Sequence, residues 1–471
     1  MAIFYVRKNV WTICTIVVMG ILIRSVLRNE TFVPRNQISE HLLNHRVLVK
    51  RNLISDEYGK ELLDLVKTIG SVDGYPTNAA DTNFYHTEHE HIGEAIPARL
   101  EENGTVVVCD HPLLIPSRDR SQCVLPGRLD IAKHFFSTGG ALGLRESYKT
   151  LISRIQSFGA YHFDLDRYPV VTRLFNEKSF LAAAKEVCPV TKRVLDPFQF
   201  NFIIQLPGQT VPIHVDGVYF KTASRFQFPQ WLLAAMQFSG LFQSDFVHQV
   251  QVVGYLHTWS PTHDDDNVTD NMLSVSNDNF GSFLYWNSPG SRPTRVLPYP
   301  LSGSIVDGSK VVHAASVYRK DTDIPYIKKS VPHWLKRIEE NRWILMNEQE
   351  GTLQTYELSD LRISIVYRAR CFASQEEISE FRSKLQGPDG VDGRVGLDDV
   401  LRTFVDDLKR RGKLSASVRL ETVDRLDLAL AIVDEYIKYP LPHEPAVPWN
   451  YCAVEHFLPE WAKRPLSLLC G

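Results

Sequence analysis

The sequence predicts an α+β fold: a strand-rich core over residues 196–372, helices before it, and a helical extension after it. Two observations carry this. Apolar residues alternate with period two through most of 196–372, interrupted by one continuous apolar run at 230–242 that reads as a helix. From Ser374 onward the period becomes helical, over 375–385, 397–411 and 422–439. A chain of 471 residues, 44% of them hydrophobic, can bury one large core with extensions and is not expected to be globally disordered.

In chain order, Arg7 and Lys8 precede an uncharged apolar stretch at 10–23, followed by Arg24 and Arg28. Its length falls short of the roughly 20 residues of a free-standing span and lies within the range of a signal-peptide core. No small-x-small cleavage pattern follows Ile23, and residues 2–6 add apolar length. The expectation is a signal-anchor at 10–23 with a cytoplasmic tail at 1–9 and a polar stem at 24–45. A cleaved signal peptide, giving a secreted protein, is the alternative. The sequons Asn29-Glu-Thr, Asn103-Gly-Thr and Asn267-Val-Thr all follow the apolar stretch. They favour a single-pass type II membrane protein with its body in the lumen of the endoplasmic reticulum or Golgi. Six cysteines follow Cys14, an even number that allows 15 pairings without choosing among them.

Residues 46–195 read as a supporting region. Residues 46–54 alternate like a strand. Ser55 is a helix N-cap, with acidic residues in the first turn of a helix over 58–69. Residues 70–195 are mixed and loop-rich, with one helix around 180–186. The His-rich run containing His86, His89 and His91 lacks a second ligand cluster and reads as a solvated loop. The net charge of −3, with Lys and Arg scattered, gives no electrostatic footprint for nucleic acid.

The core carries the chemistry. Within 198–220, two strand-like stretches flank Pro207-Gly208. In extended chain His214 and Asp216 point to the same face. One imidazole and one carboxylate are two-thirds of the facial triad that holds non-haem Fe(II) with open positions. The third ligand must come from another strand, and the stretch 300–318 supplies a strand, a Gly-containing turn and a strand beginning near His313. Strands are also expected at 249–257 and 280–286. The last, at 361–368, places Arg362, Ser364, Val366 and Arg368 on one face. An inward Arg with a neighbouring hydroxyl suits the distal carboxylate of 2-oxoglutarate.

On these residues, 196–372 resembles the double-stranded β-helix (jelly-roll, cupin-like) of the Fe(II)/2-oxoglutarate-dependent dioxygenase superfamily. The pattern is nearest to prolyl 4-hydroxylase-like catalytic domains. The similarity lies in Pro-Gly-Gln with His214 six residues after Gly208, Tyr255-Leu256, the Gly281-to-Tyr285 stretch, and Gly303 before His313. The resemblance implies His214, Asp216 and His313 as iron ligands, Arg362 with Ser364 as the cosubstrate clamp, and Arg368 as a supporting residue near the triad. It implies Fe(II), 2-oxoglutarate and, as a further candidate, ascorbate. The implied reaction is hydroxylation of a protein side chain, glycan, lipid or small molecule, with release of succinate and CO2.

Two departures stand out. Arg362 lies 49 positions after His313, where the family places its basic residue about ten after, so 320–360 would be an insertion and Arg319 or Lys320 competes for the role. Gln205 stands where prolyl hydroxylases carry Tyr. The rival reading is a membrane-anchored glycoprotein that keeps the fold as a binding module and has lost catalysis.

Overall fold

The computed structural model describes residues 38–77, short pieces between 96 and 133, 148–161, 167–261 apart from 226, 279–288, 293–327, 331–386 and 394–440. The apolar stretch at 10–23, the three sequons, the His-rich run and the tail beyond 440 lie outside these residues. Among the described residues no helix is long and apolar enough to cross a membrane.

Strand β1 (Val47–Lys50) leads to helix α1 (Asp56–Val72), whose N-cap Ser55 accepts a hydrogen bond from Tyr58 N, as its sequence position requires. After β2 (Tyr75–Pro76) come five short strands: β3 (Ile96–Pro97), β4 (Arg99–Leu100), β5 (Val107–Val108), β6 (Ile115–Pro116) and β7 (Gln122–Val124). Helix α2 (Tyr148–Ile155), strand β8 (Phe158–Tyr161), and helices α3 (Pro169–Asn176) and α4 (Lys178–Val187) complete the supporting region. Helices α2 and α3 fall where the sequence reads as loop-rich. Each has only eight residues, too few for a clear helical period.

The core strands are β9 (Val194–Gln205), β10 (Val211–His214), β11 (Gln249–Tyr255), β12 (Phe283–Trp286), β13 (Thr294–Val296), β14 (Gly303–Val306) and β15 (Val312–Ala315). Helix α5 (Gln230–Ser239) interrupts them and is stopped by Gly240, whose φ of 72° is the left-handed cap that favours glycine. The strand expected from Phe280 begins at Phe283, because Gly281 turns the chain at φ 67°. The expected insertion is an antiparallel meander, β16 (His333–Arg337), β17 (Arg342–Asn347) and β18 (Gly351–Glu357), extended by β2. Its Trp343 is fully buried beside Tyr75, under α1. Strand β19 (Arg362–Phe372) then returns to the core, followed by α6 (Gln375–Gln386), α7 (Leu397–Arg410) and α8 (Arg425–Tyr436).

Two antiparallel sheets result, a six-stranded one ordered β1-β14-β11-β19-β9-β8 and a four-stranded one ordered β10-β15-β12-β13. Period-two alternation sorts their side chains. On the larger sheet Phe200, Phe202, Ile204, Val250, Val252, Ile363, Ile365 and Tyr367 face outward. They form a core with α1, α3 and α4, including Leu62, Val66, Leu174 and Phe180. On the smaller sheet Ile213, Leu284, Trp286, Val312 and Ala314 pack outward against α5, α7 and α8. Truncating a fully buried aromatic such as Tyr367 would cost about 3–5 kcal/mol. The opposite faces meet each other and carry polar residues.

Part of the expected stem belongs to this body. Leu42 and Leu43 are buried, Ser39 Oγ donates to Phe238 O, and His41 bonds Gln237 O. Polar residues at 38–45 therefore cap α5 and do not form a free tether. Cys188 and Cys371 form a disulfide tying the end of α4 to β19, and Cys123 is also disulfide-bonded.

Candidate metal centre and its surroundings

The turn after β9 fixes the register of everything that follows. Gly208 has φ 87°, a conformation that L side chains rarely adopt. Its carbonyl accepts from Arg154 Nη1 at 2.7 Å, and Gln209 Oε1 accepts from Leu206 N at 2.8 Å. Strand β10 then pairs with β15 so that His214 and His313 are direct cross-strand partners, with ring centroids 4.3 Å apart. Asp216 follows the end of β10, and its N–H donates to Gly308 O at 2.8 Å.

The two imidazoles are oriented alike. His214 Nδ1 lies 2.7 Å from Pro212 O, and His313 Nδ1 lies 2.8 Å from Val311 O. A carbonyl only accepts, so each Nδ1 carries the proton and each Nε2 presents a lone pair. Those Nε2 atoms lie 3.5 and 3.9 Å from Asp216 Oδ1. One ligand atom from each of the three residues falls within 4.8 Å of the others, and no other such group exists among the described residues. Atoms that each bind one divalent ion at about 2.0–2.2 Å must converge in this way.

Electrostatics prepares Asp216 and His313 as ligands. Burial and the neighbouring His214 lower the pKa of His313 to about 4, so it is neutral at physiological pH. Burial opposes ionisation of Asp216, but the Arg368 guanidinium outweighs it and holds the carboxyl well below the usual range. The site thus offers an anionic carboxylate from Asp216 and a neutral imidazole from His313. Asp216 Oδ2 is buried without a hydrogen-bond partner, and a Cβ on Gly308 would lie 1.9 Å from it. A buried carboxylate oxygen left bare in a space kept clear by glycine fits a site for a cation.

Residues of the opposite sheet complete the surroundings. Arg368 donates to Asp216 Oδ1, to Gln251 Oε1 at 2.7 Å and to Gln199 Oε1 at 3.1 Å. Gln251 Nε2 in turn approaches His313 Nε2 at 3.4 Å. Arg368 was expected near the triad from its place on the last strand, whereas Gln199, Gln251 and Gly308 were not anticipated. The available signal was the glutamines at 249 and 251 on one face of an otherwise apolar strand. Beyond the ligands, Asp130 pairs bidentately with Arg128 and accepts from the Tyr439 hydroxyl at 3.1 Å. The same hydroxyl reaches the backbone of Val215, between two ligands, so the C-terminal extension braces the ligand loop.

A second cluster lies at the other end of β19. Arg362, 3% exposed, donates to Gln205 Oε1 and stacks over Tyr255 at 5.0 Å. A side chain at Gly281 would collide with it, since a Cβ there lies 2.8 Å from Arg362 Cδ and Nε. Ser364 Oγ donates to Ile203 O at 3.2 Å. The hydroxyl expected to help bind a cosubstrate therefore already donates to the sheet backbone. Arg319, the competitor, does not share the inward face of His313. Strand β15 ends at Ala315, Arg319 takes φ 47°, and its guanidinium pairs with Asp360 at 2.7 Å and Ser359 O at 3.1 Å. Arg319 is six residues after His313, a spacing that would keep it on the same face in a strand, but the chain is no longer a strand there. Lys320 follows beyond that turn.

No protein-family model and no curated protein matches the sequence. Solved structures to which the chain is similar include a member of the 2OG-Fe(II) oxygenase family, prolyl hydroxylases and an alpha ketoglutarate dependent epimerase. One is an oxidoreductase of the 2OG-Fe(II) oxygenase family from Burkholderia pseudomallei. It is 9% identical with TM-score 0.24, over 46% of this chain and 66% of that one. Another is a Pseudomonas putida prolyl-4-hydroxylase, 12% identical with TM-score 0.26, over 69% and 93%. A third is the non-heme alpha ketoglutarate dependent epimerase SnoN from nogalamycin biosynthesis, 9% identical with TM-score 0.31, over 75% and 91%.

Proposed function

We propose that this chain is an Fe(II)- and 2-oxoglutarate-dependent dioxygenase that hydroxylates a substrate in the secretory-pathway lumen, releasing succinate and CO2. The observation that carries the reading is the convergence of His214 Nε2, His313 Nε2 and an Asp216 carboxylate oxygen within 4.8 Å, between two antiparallel sheets. We read β9–β15 with β19 as the eight strands of a double-stranded β-helix, in which β9, β11, β14 and β19 alternate between sheets with β10, β12, β13 and β15.

His214, Asp216 and His313 would hold the iron. Bound there, Fe(II) supplies activation of oxygen coupled to oxidative decarboxylation of the 2-oxo acid. The chain's own part is positional. The Nδ1 hydrogen bonds fix both rings, Arg368 fixes the carboxylate, and Arg362 takes the distal carboxylate of the cosubstrate at the far end of the same strand. Ascorbate is the expected reductant keeping the ion ferrous.

The lumenal setting is supported by the apolar stretch at 10–23, the three sequons after it, and the disulfides at Cys188–Cys371 and Cys123. Such bonds persist in oxidising compartments. The test is conversion of 2-oxoglutarate to succinate by the purified full chain in detergent. The reading requires conversion that depends on added Fe(II) and vanishes in His313→Ala. An unaltered rate in that variant would overturn it. Glycosidase treatment should shift the mass of the wild type and not of a variant with Asn29, Asn103 and Asn267 changed to Gln.

A further inference from the structure

The turn at 307–310 carries the chain from β14 in one sheet to β15 in the other, so its own peptides belong to neither ladder. It nevertheless meets Asp216 twice. Gly308 O accepts from Asp216 N at 2.8 Å, and only the missing Cβ of Gly308 lets Asp216 Oδ2 lie against it. Side chains hold the turn in that place. Asp307 Oδ1 accepts from Ser309 N at 3.2 Å and Ser309 Oγ at 2.6 Å, and its Oδ2 takes Gln249 N at 3.3 Å on the β11 side. On the α5 side the tie is Gln237, whose Nε2 donates to Ser309 O at 3.1 Å. Gln237 Oε1 accepts from Gln243 Nε2 at 3.0 Å, and Gln243 Oε1 accepts from Lys310 Nζ at 3.3 Å, so the contacts return to the turn.

Gln237 is fully buried on a helix whose residues from Trp231 to Phe238 are otherwise apolar. An amide there is unfavourable unless its two ends are bonded, and both are. Packing alone would select an apolar side chain. About two turns earlier on the same stripe, Gln230 lies against the ligand loop itself. A Cβ on Gly217, the residue after Asp216, would stand 3.2 Å from Gln230 Oε1. Helix α5 thus faces both loops that meet at Asp216.

We propose that Gln237 is a positioning residue for the metal centre, fixing the 307–310 turn and, through Gly308, the place of the Asp216 carboxylate. This role rests on the reading of His214, Asp216 and His313 as metal ligands. Arg368 balances the charge of Asp216 from the larger sheet, and Gln237 sets its position from α5. Without the amide the turn keeps its internal Asp307–Ser309 bonds but loses its tie to the helix, so Gly308 shifts and the carboxylate follows. Gln237 touches neither metal nor substrate and acts only through the turn.

The test is titration of the full chain in detergent with Mn(II), followed by electron paramagnetic resonance, and with Co(II), whose visible absorption reports ligand geometry. Gln237→Met keeps length and apolar packing and removes both polar atoms. It should bind Mn(II) about tenfold more weakly than wild type and shift the Co(II) absorption. A residue that served only the packing of α5 would lower the melting temperature and leave both readings at their wild-type values. That result would overturn the assignment. Gln237→Glu keeps the acceptor for Gln243 but, ionised, cannot donate to Ser309 O, so the same weakening and shift are expected there. Should Gln237→Met not fold, Gln237→Glu decides: wild-type Mn(II) affinity with an unshifted Co(II) spectrum overturns the assignment. A wild type that takes up neither ion would overturn the metal reading itself, and this role with it.

Discussion

Arg368 reaches across from the last strand of one sheet and donates to Asp216 Oδ1, at the end of a strand of the other. Asp216 is thus paired through the same oxygen that the two histidines approach, and its charge is balanced before any cation arrives. Arg368→Met would leave a buried carboxylate without its partner. Breaking such a pair costs roughly 3–5 kcal/mol, less here because the Arg368 side chain is 22% exposed. The variant should unfold at lower temperature than wild type in chelator, and Mn(II) should narrow the gap by supplying the missing positive charge. A gap unaffected by Mn(II) would mean that Arg368 serves the fold and not the ligand.

Gly308 offers a sharper probe of the same carboxylate. A Cβ there meets Asp216 Oδ2 at 1.9 Å, so Gly308→Ala must displace the ligand. Metal affinity should fall on the order of tenfold to a hundredfold, and the metal-free protein should unfold at a lower temperature as well, because the displaced carboxylate is also the partner of Arg368. Titration with Mn(II) followed by electron paramagnetic resonance would measure this, and unchanged affinity would refute the role given to Gly308.

What could be read in the sequence was whatever local period controls. His214 and Asp216 were visible as i and i+2 in an extended stretch, and helix α1 was visible from Ser55 and its acidic first turn. The unread contacts depend on register between strands far apart in sequence. Gln251 faces Arg368 because β11 pairs with β19 across more than a hundred residues. Cys188 meets Cys371 across 183. Arg319 misled for the converse reason: its even spacing from His313 counts only while the strand lasts, and the chain turns first. The meander between β15 and β19 was inferred as an insertion, but nothing local showed that Trp343 would be buried in the main core.

His257 makes stability depend on acid. It stacks on Trp259 at 3.9 Å and bonds Pro298 O at 2.7 Å, and burial with the nearby charge of Arg362 lowers its pKa to about 3. Below the ordinary histidine value of about 6.5 the unfolded chain takes up a proton that the folded chain refuses. Its contribution is therefore complete above about 6.5 and is lost as pH falls toward 3. The melting temperature of His257→Gln should decline less steeply over that window. Parallel curves for the two proteins would count against it.

The disulfide Cys188–Cys371 spans 183 residues, closing a loop that contains the core strands from β9 onward, and pins β19, the strand that carries Arg362 and Arg368. Replacing both cysteines with Ala should cost about 2–4 kcal/mol in denaturant unfolding. Reductant should lower the wild-type midpoint similarly and leave that of the double variant unchanged. A reductant effect on the double variant would point to Cys123 instead.

The two arginines that competed for the cosubstrate now make opposite predictions. Arg362 is buried on the inward face, stacked on Tyr255 and bonded to Gln205, with Gly281 clearing the space beside it. Arg319 is partly exposed and already paired with Asp360. A charged hydrogen-bond partner contributes about 1.5–3 kcal/mol, so Arg362→Met should raise the KM for 2-oxoglutarate roughly 10- to 150-fold. Mn(II) affinity without cosubstrate should stay constant, because no ligand changes. Arg319→Met should leave that KM where it was and lower stability by about 1 kcal/mol or less, the usual worth of an exposed pair. Steady-state kinetics on both variants separates the cases. A cosubstrate defect in Arg319→Met beside wild-type behaviour in Arg362→Met would mean that β19 does not line the cosubstrate site.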